Sequence, residues 1–219
     1  MQVLWLKYQW IFTLILAECL LSGCIGTNPV TPTQFYLLTP AQYETSLIIK
    51  KDHSDPLSQK RISLELASLH LPQYLEKPQI VTRSSQNRLE MAEYHQWGGN
   101  LRKNMIRVIA QNMSQLLATP NVAMAPFRPP TPPDFRIEVE VMRFEPDERG
   151  QVHFSAQWRL LSGREGNPLV TRMLDLESLV PESQLDFDHT ISLMVDLLGE
   201  FCVVIGKEIL LHIPESPSQ

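Results

Sequence analysis

Three consecutive strand-like segments between residues 135 and 179 restrict the fold of this chain more than any other feature. In the first two, 135–142 and 152–160, every second residue is apolar and most of the residues between are polar or charged, and the third runs from about Leu169 to Leu179. Residues two apart share one face of a strand, so the first two segments predict strands with one buried and one solvent-exposed face. Short links containing Gly150, Gly163 and Gly166 separate the segments. Such links join antiparallel neighbours, and the pattern therefore predicts a three-stranded antiparallel meander.

Two further segments have the spacing of amphipathic helices. Asn100 is a suitable N-cap for the first, which should end near Ala118 and whose apolar stripe is interrupted by one polar residue, Asn112. Asp188 is the predicted N-cap of the second helix, and Pro214 should end it. The apolar stripe of this helix consists of Ile191, Met194, Leu198, Phe201, Ile205 and Ile209.

Shorter apolar runs predict strands at residues 35–38, 62–68, 79–83, 88–93 and 121–125, and a weak one at 47–49. The runs at 79–83 and 88–93 fit a hairpin, and the alternation in 62–68 places Glu65 on a solvent-exposed face. Two helices and about seven strands cannot bury their apolar faces separately. We therefore expect an α/β fold in which a mixed, largely antiparallel sheet, including the C-terminal-half meander, is flanked by the two amphipathic helices.

The N-terminus has the features of an export signal. An apolar run from Trp10 to Leu21 follows the cation Lys7 and is too short to span a bilayer, which takes about 20 apolar residues. Leu21-Ser22-Gly23-Cys24 then resembles a lipobox, so we expect cleavage before Cys24 and a lipid on its thiol. An uncleaved anchor or a chance cysteine is the alternative.

The residues after Cys24 bear on location. In lipoprotein sorting as known from enteric bacteria, Asp after the lipidated cysteine retains a protein in the inner membrane, and here that residue is Ile25. We therefore expect the periplasmic face of the outer membrane. Residues 26–34 are rich in Thr and Pro and predict an extended tether of about 30 Å that lets the domain stand clear of the lipid. The expected organisation is a signal peptide (1–23), lipidated Cys and tether (24–34), one domain (35–213) and a short tail (214–219).

Composition excludes some classes of function. A net charge of -5 provides no large basic patch, so nucleic acid is not an expected partner. Cys19 would leave with the signal and Cys24 would be acylated, so only Cys202 remains and no internal disulfide can form. Because Cys202 lies in an apolar helical run, we expect it to be buried and unreactive.

No catalytic or metal-binding motif is recognisable in the sequence. The histidines have no ligand spacing; they are His53, His70, His95, His153, His189 and His212. Glu138 and Glu140 share a strand face beside Arg136 and are expected to be a solvated surface rather than an acid pair. We expect no enzyme activity, no cofactor and no metal, with a periplasmic hydrolase of novel site as the alternative.

One segment carries a family resemblance. It consists of Leu71-Pro72-Gln73-Tyr74-Leu75, the following Pro78-Gln79-Ile80-Val81-Thr82-Arg83, and Trp97 shortly before the first helix. This segment resembles the ABC-type transport auxiliary lipoproteins, the PqiC-like family. The similarity extends over most of the chain from Cys24 to Leu211. Gly98 and Gly99 depart from the family pattern, because a more helix-friendly pair is expected there.

The resemblance implies a mixed α/β fold flanked by helices and a non-catalytic role that supports envelope integrity. Such proteins are partners of MCE-type lipid transport systems, which combine a membrane permease with a periplasmic ring or tunnel protein. A homo-oligomer would suit a ring-shaped partner. Tyr74 and Trp97 are candidate partner contacts, with core or turn packing as the alternative. A stand-alone structural envelope lipoprotein is the other alternative function.

Overall fold

The computed structural model describes residues 31–43, 62–127, 129–178 and 186–213, which form eight strands, two α-helices and one 3-10 turn. The strands are β1 Gln34–Tyr36, β2 Leu64–His70, β3 Gln79–Ser85, β4 Arg88–Trp97, β5 Val122–Met124, β6 Phe135–Pro146, β7 Val152–Ser162 and β8 Pro168–Ser178. The helices are α1 Leu101–Leu116 and α2 Phe187–Leu211, and the 3-10 turn is Gln73–Glu76.

The predicted meander is confirmed. β6 pairs antiparallel with β7, and β7 pairs antiparallel with β8. Val139 lies opposite Trp158, and both side chains are buried. Glu140 lies opposite Gln157 on the other face, where both are exposed. The period of two in the sequence therefore corresponds directly to one buried and one solvent-exposed face.

The mixed α/β class is also confirmed, but the strands divide between two sheets. The large sheet has the order β5-β2-β6-β7-β8, and the small sheet has the order β1-β4-β3. The hairpin β3–β4 is antiparallel as expected, whereas β1 is parallel to β4 and β2 is parallel to both of its neighbours. A single bridge between Arg83 and Asp147 joins the end of β3 to the end of β6. The weak strand expected at 47–49 lies outside the described residues.

β2 differs from the prediction in its burial. Leu64, Glu65 and Leu66 are all buried, although the alternation placed Glu65 on a solvent-exposed face. That expectation was wrong because β2 is an interior strand, and Glu65 lies between Arg136 of β6 and Ala123 of β5. Its carboxylate Oε2 is 2.8 Å from Arg136 Nε. The neighbouring strands shield the carboxylate and supply its counter-charge.

The core lies between the large sheet and the helices. α1 packs on β2 and β5, α2 packs on β6, β7 and β8, and the two helices pack on each other. The predicted apolar stripe of α2 is buried throughout. Phe201 of α2 lies 5.0 Å from Phe154 of β7 between ring centroids, and Phe154 lies edge-on to Phe144 at 5.4 Å. All these elements belong to the compact unit Thr33–Gln219. Among the described helices, none is long and apolar enough to cross a membrane.

The helix caps were predicted correctly at α1 and wrongly at α2. Asn100 caps α1, because its side chain accepts a hydrogen bond from the Lys103 backbone N–H at 2.9 Å. α2 begins two residues earlier than expected, with Asp186 as the N-cap accepting from the His189 backbone N–H at 2.7 Å. Asp188 lies inside the first turn, where its charge only complements the helix dipole. The helix ends at Leu211, and Pro214 lies outside the described residues.

The cap assignment predicts unequal effects of two identical substitutions. Asp186→Ala should lower the free energy of unfolding by about 1 kcal/mol, because it leaves backbone donors of the first turn unsatisfied. Asp188→Ala should cost only a few tenths of a kcal/mol, since its interaction with the dipole is exposed and screened. Urea unfolding followed by circular dichroism measures both. A larger loss for Asp188→Ala would contradict the assignment.

Candidate functional site

The predicted site residues fall in different parts of the chain. Cys24 lies outside the described residues, so its lipidation stays a prediction. Trp97 ends β4, opposite Tyr36 of β1, and its backbone N–H donates to the Pro78 carbonyl at 2.7 Å. The Trp97 side chain is only 6% exposed and belongs to the core. Such a side chain offers little surface to another protein, and the pairing of Trp97 with Tyr36 joins β4 to β1. A contact of Trp97 with a partner protein stays a prediction.

Tyr74 is placed by the 3-10 turn against a buried carboxylate. Its hydroxyl lies 3.0 Å from Glu145 Oε2 and 3.2 Å from the Met142 carbonyl. The Arg83 guanidinium lies 5.8 Å from the centre of the Tyr74 ring. Burial, followed by the charge and hydrogen bond of Glu145, raises the pKa of Tyr74 to about 12. The hydroxyl therefore stays protonated at physiological pH and acts as a donor. Its contact with a partner protein stays a prediction.

Glu145 is the centre of this cluster. The side chain is fully buried, and its Oε1 accepts from Arg83 Nε at 2.8 Å and from Arg143 Nε at 3.1 Å. Its Oε2 also accepts from the Phe144 backbone N–H at 2.9 Å. The carboxylate thus connects the 3-10 turn and β3 to β6, which belong to different parts of the fold. We call Tyr74, Arg83, Arg143 and Glu145 the Glu145 network. A buried charge satisfied on both oxygens stabilises one arrangement of these elements.

A second set of buried polar side chains holds the chain that follows β1. The Asn104 side chain of α1 accepts from the Leu38 backbone N–H at 2.8 Å and donates to the Leu38 carbonyl at 3.0 Å. Its amide thus satisfies the backbone of Leu38 as a neighbouring strand would. About two turns further along α1, the Asn112 side chain accepts a hydrogen bond from the Ala41 backbone N–H at 3.0 Å. We call residues 37–43 the strap, because α1 binds them at two points.

The strap also packs on α2. Tyr43 donates its hydroxyl proton to the Gly199 carbonyl at 3.2 Å, and a Cβ built on Gly199 would lie 2.7 Å from the Ala41 Cβ. The absence of a side chain at Gly199 therefore allows the close approach. Asn112 donates to the Cys202 sulfur at 3.6 Å. Burial raises the pKa of the Cys202 thiol to about 12, which agrees with the expected buried and unreactive cysteine.

Several other titratable groups of the described residues form ion pairs or hydrogen bonds. Glu138 lies 2.8 Å from Arg159, as expected for a solvated strand face. His153 lies 3.1 Å from Glu177, and the Tyr36 hydroxyl lies 2.9 Å from His95 Nδ1. No group of three or more His, Cys, Asp or Glu in the described part of the chain is placed to hold a metal ion.

One open cleft of about 980 Å³ lies beside the edge strand β5. Prolines form much of its wall, and its charged lining residues are Asp134 and Arg164. Asp134 accepts from the Ser63 backbone N–H at 3.0 Å and from the Ser63 hydroxyl at 2.8 Å. The carboxylate therefore anchors the loop before β6 to the residue before β2.

The comparisons with known proteins agree with this architecture. The family model for the ABC-type transport auxiliary lipoprotein component matches residues 47–202. The crystal structure of an uncharacterized protein aligns with a TM-score of 0.61 at 19% identity, covering 82% of this chain and 99% of its own. Protein XCC0632 from Xanthomonas campestris, of family DUF330, aligns with a TM-score of 0.54 at 14% identity, covering 80% and 92%. No curated protein matches the sequence.

The similar solved structures support the fold, and the family model shows to which protein family the chain belongs. The fold is a mixed α/β domain with a helix pair on one face of its large sheet. Because the model matches well over half of the chain, the chain belongs to the family of ABC-type transport auxiliary lipoprotein components. The family resemblance expected from Tyr74 and its neighbours is therefore confirmed.

The Glu145 network predicts that two identical substitutions on β6 differ in their effect on stability. Glu145→Gln should lower the free energy of unfolding by about 3 kcal/mol, because Arg83 and Arg143 lose the buried charge that they face. Glu138→Gln is the matched control on the same strand, and its half-exposed pair with Arg159 should cost less than about 1 kcal/mol. Chemical unfolding measures both. Equal losses would contradict the role given to Glu145.

Proposed function

We propose that this protein is a non-catalytic auxiliary component of an MCE-type intermembrane lipid transport system that supports envelope integrity. A lipid on Cys24 holds it on the periplasmic face of the outer membrane. Its domain docks onto a periplasmic MCE-type protein, which works with a permease in the inner membrane. The observation that carries the proposal is the family membership, which assigns the chain to the auxiliary lipoproteins of ABC-type transport.

Anchoring is supported by the sequence before the domain. Leu21-Ser22-Gly23-Cys24 follows an apolar run of the length expected for an export signal, and Ile25 is not the residue that retains lipoproteins in the inner membrane. The strap supports the same reading from the folded side. β1 pairs with β4, and Asn104 and Asn112 then hold the chain at Leu38 and Ala41, so a force on the anchor would be transmitted to β4 and α1.

A role in docking fits the chemistry of the described side chains. The buried polar groups of the Glu145 network and the strap satisfy one another and stabilise a single conformation. A rigid domain that presents a fixed surface suits assembly with a second protein. If the MCE-type partner is a ring, several copies of this chain would bind it with higher avidity than one, which favours a homo-oligomer.

The competing functions are a periplasmic hydrolase and a stand-alone structural lipoprotein. No motif of nucleophile, base and oxyanion donors is recognisable in the sequence, which argues against the hydrolase. A screen of the purified mature protein with esterase, phosphatase and glycosidase substrates separates the classes. Turnover that one side-chain change abolishes would favour the hydrolase.

Anchoring predicts a specific loss on substitution of Cys24. Cys24→Ser should abolish incorporation of labelled fatty acid and release the protein from the membrane fraction, because the acylated thiol is gone. Cys202→Ser is the matched control and should be labelled like the wild type. Equal labelling of wild type and Cys24→Ser would contradict anchoring.

Ile25→Asp should move the lipidated protein from the outer to the inner membrane fraction on a density gradient.

Docking predicts recovery of transport components by crosslinking in cells. A photocrosslinking residue is placed in turn at Met91, Phe127 and Met173, which are exposed and lie on three different segments. Affinity purification should recover an MCE-type protein or a permease from at least one position. Tyr74→Phe removes only the hydroxyl and tests whether it contributes to capture beyond its effect on stability. If no position recovers either component, and deletion leaves resistance to membrane-damaging agents unchanged, a stand-alone lipoprotein is the better account.

A further inference from the structure

β1 is apolar on both of its sides, which is unusual for a short edge strand. On one side Tyr36 is buried, and its ring centroid lies 5.7 Å from His95 and 6.1 Å from Phe187 of α2. On the other side Phe35 is 66% exposed. An edge strand normally presents polar residues to solvent. The side of β1 that carries Tyr36 is covered by the core, whereas the apolar side chain of Phe35 on the other side is not covered.

Two further exposed apolar side chains lie within two residues of Phe35 or of its partner on β4. Phe35 lies opposite Gln96 of β4, and Tyr94, two residues earlier on β4, shares that face and is 38% exposed. Leu37 is 49% exposed, and a Cβ built on Gly98 would lie 3.3 Å from its Cγ. Gly98, which departs from the family pattern, thus leaves room for Leu37 at the end of the small sheet. We call Phe35, Leu37 and Tyr94 the β1 patch.

The position of the patch in the chain indicates what covers it. Only nine residues, 25–33, separate Cys24 from Gln34 at the start of β1. A chain of that length spans roughly 15–18 Å as a random coil and at most roughly 30 Å at full extension. The lipid therefore keeps the β1 patch within a short distance of the bilayer at all times, and it raises the effective concentration of lipid at the patch.

We propose that the β1 patch rests on the surface of the membrane that carries the lipid anchor, with Phe35, Leu37 and Tyr94 buried at the boundary of headgroups and acyl chains. This inference rests on the lipidation of Cys24. Phenylalanine and leucine supply apolar area, and tyrosine combines an apolar ring with a polar tip that suits the interface. Glu93 is exposed beside Tyr94, so the contact depends on apolar burial rather than on attraction to anionic headgroups. The domain is then oriented on the membrane instead of standing clear of it.

The test uses the full lipidated protein in vesicles of phosphatidylethanolamine and phosphatidylglycerol that contain a lipid-borne spin-label quencher. An environment-sensitive fluorophore is attached to Glu93→Cys, beside the patch, and in a second sample to Asp175→Cys on β8. Cys202 is buried and its thiol pKa is raised, so it stays unlabelled. We expect strong quenching at position 93, weak quenching at position 175 and little change with salt.

Substitutions within the patch identify its contribution. Phe35→Ser combined with Leu37→Ser should lower the ratio of docked to undocked protein roughly tenfold, as expected for loss of two apolar contacts. Phe127→Ser, at an aromatic residue that is 79% exposed, is the matched control and should leave quenching at position 93 unchanged. Thermal unfolding checks that all variants keep the fold.

Three outcomes would overturn the inference. Equal quenching at positions 93 and 175 would mean that the domain has no fixed orientation. Absence of quenching together with fluorophore self-quenching that grows with protein density would mean that a second copy covers the patch. Protection of position 93 only after addition of the MCE-type protein would mean that the partner covers it. Fatty acid labelling of the same samples separates these outcomes from a failure of anchoring itself, because an unlabelled protein would refute the lipidation first.

Discussion

The pairing of Asn104 with the backbone of Leu38 determines how the strap after β1 joins the domain. The amide is buried and satisfies both the N–H and the carbonyl of Leu38, so neither partner has access to water if the pair breaks. Together with the pairing of Tyr36 with Trp97, this holds the Tyr36 ring beside His95 and Phe187. The same constraint determines which side chains β1 leaves exposed. The proposed membrane contact is therefore a consequence of a buried hydrogen-bond pair on α1.

The Glu145 network performs a similar task between the two sheets. The small sheet meets β6 where Arg83 reaches the buried carboxylate, close to the bridge between Arg83 and Asp147. The strap joins β1 to the helices, and the helices cover the large sheet. Two independent sets of polar contacts thus connect β3 of the small sheet and the strap after β1 to the rest of the domain. Buried polar groups contribute little net stability when satisfied but cost a great deal when broken, so they select one arrangement of the elements.

Periodicity predicted the elements whose partners lie next to them in the sequence. The meander, the β3–β4 hairpin, the cap at Asn100 and the stripe of α2 all depend on short-range patterns, and all were confirmed. The division into two sheets depends on parallel pairings between distant strands, which leave no periodic signal. Glu65 was assigned to the wrong environment for the same reason, since its shielding comes from strands far away in the sequence. Asn112 did leave a signal: it was the one polar residue in an apolar stripe, and its function is to hold Ala41.

The pairing of β1 with β4 and the contacts of the strap with α1 and α2 fix residues 34–43 to the domain. Hydrogen exchange of the wild-type protein, read by mass spectrometry on peptides that cover residues 37–43, tests the attachment of the strap most directly. The backbone N–H groups of Leu38 and Ala41 should be protected about as strongly as those inside α1, because both donate to buried asparagine side chains. Exchange of these two amides at the rate of an unstructured peptide would contradict the account.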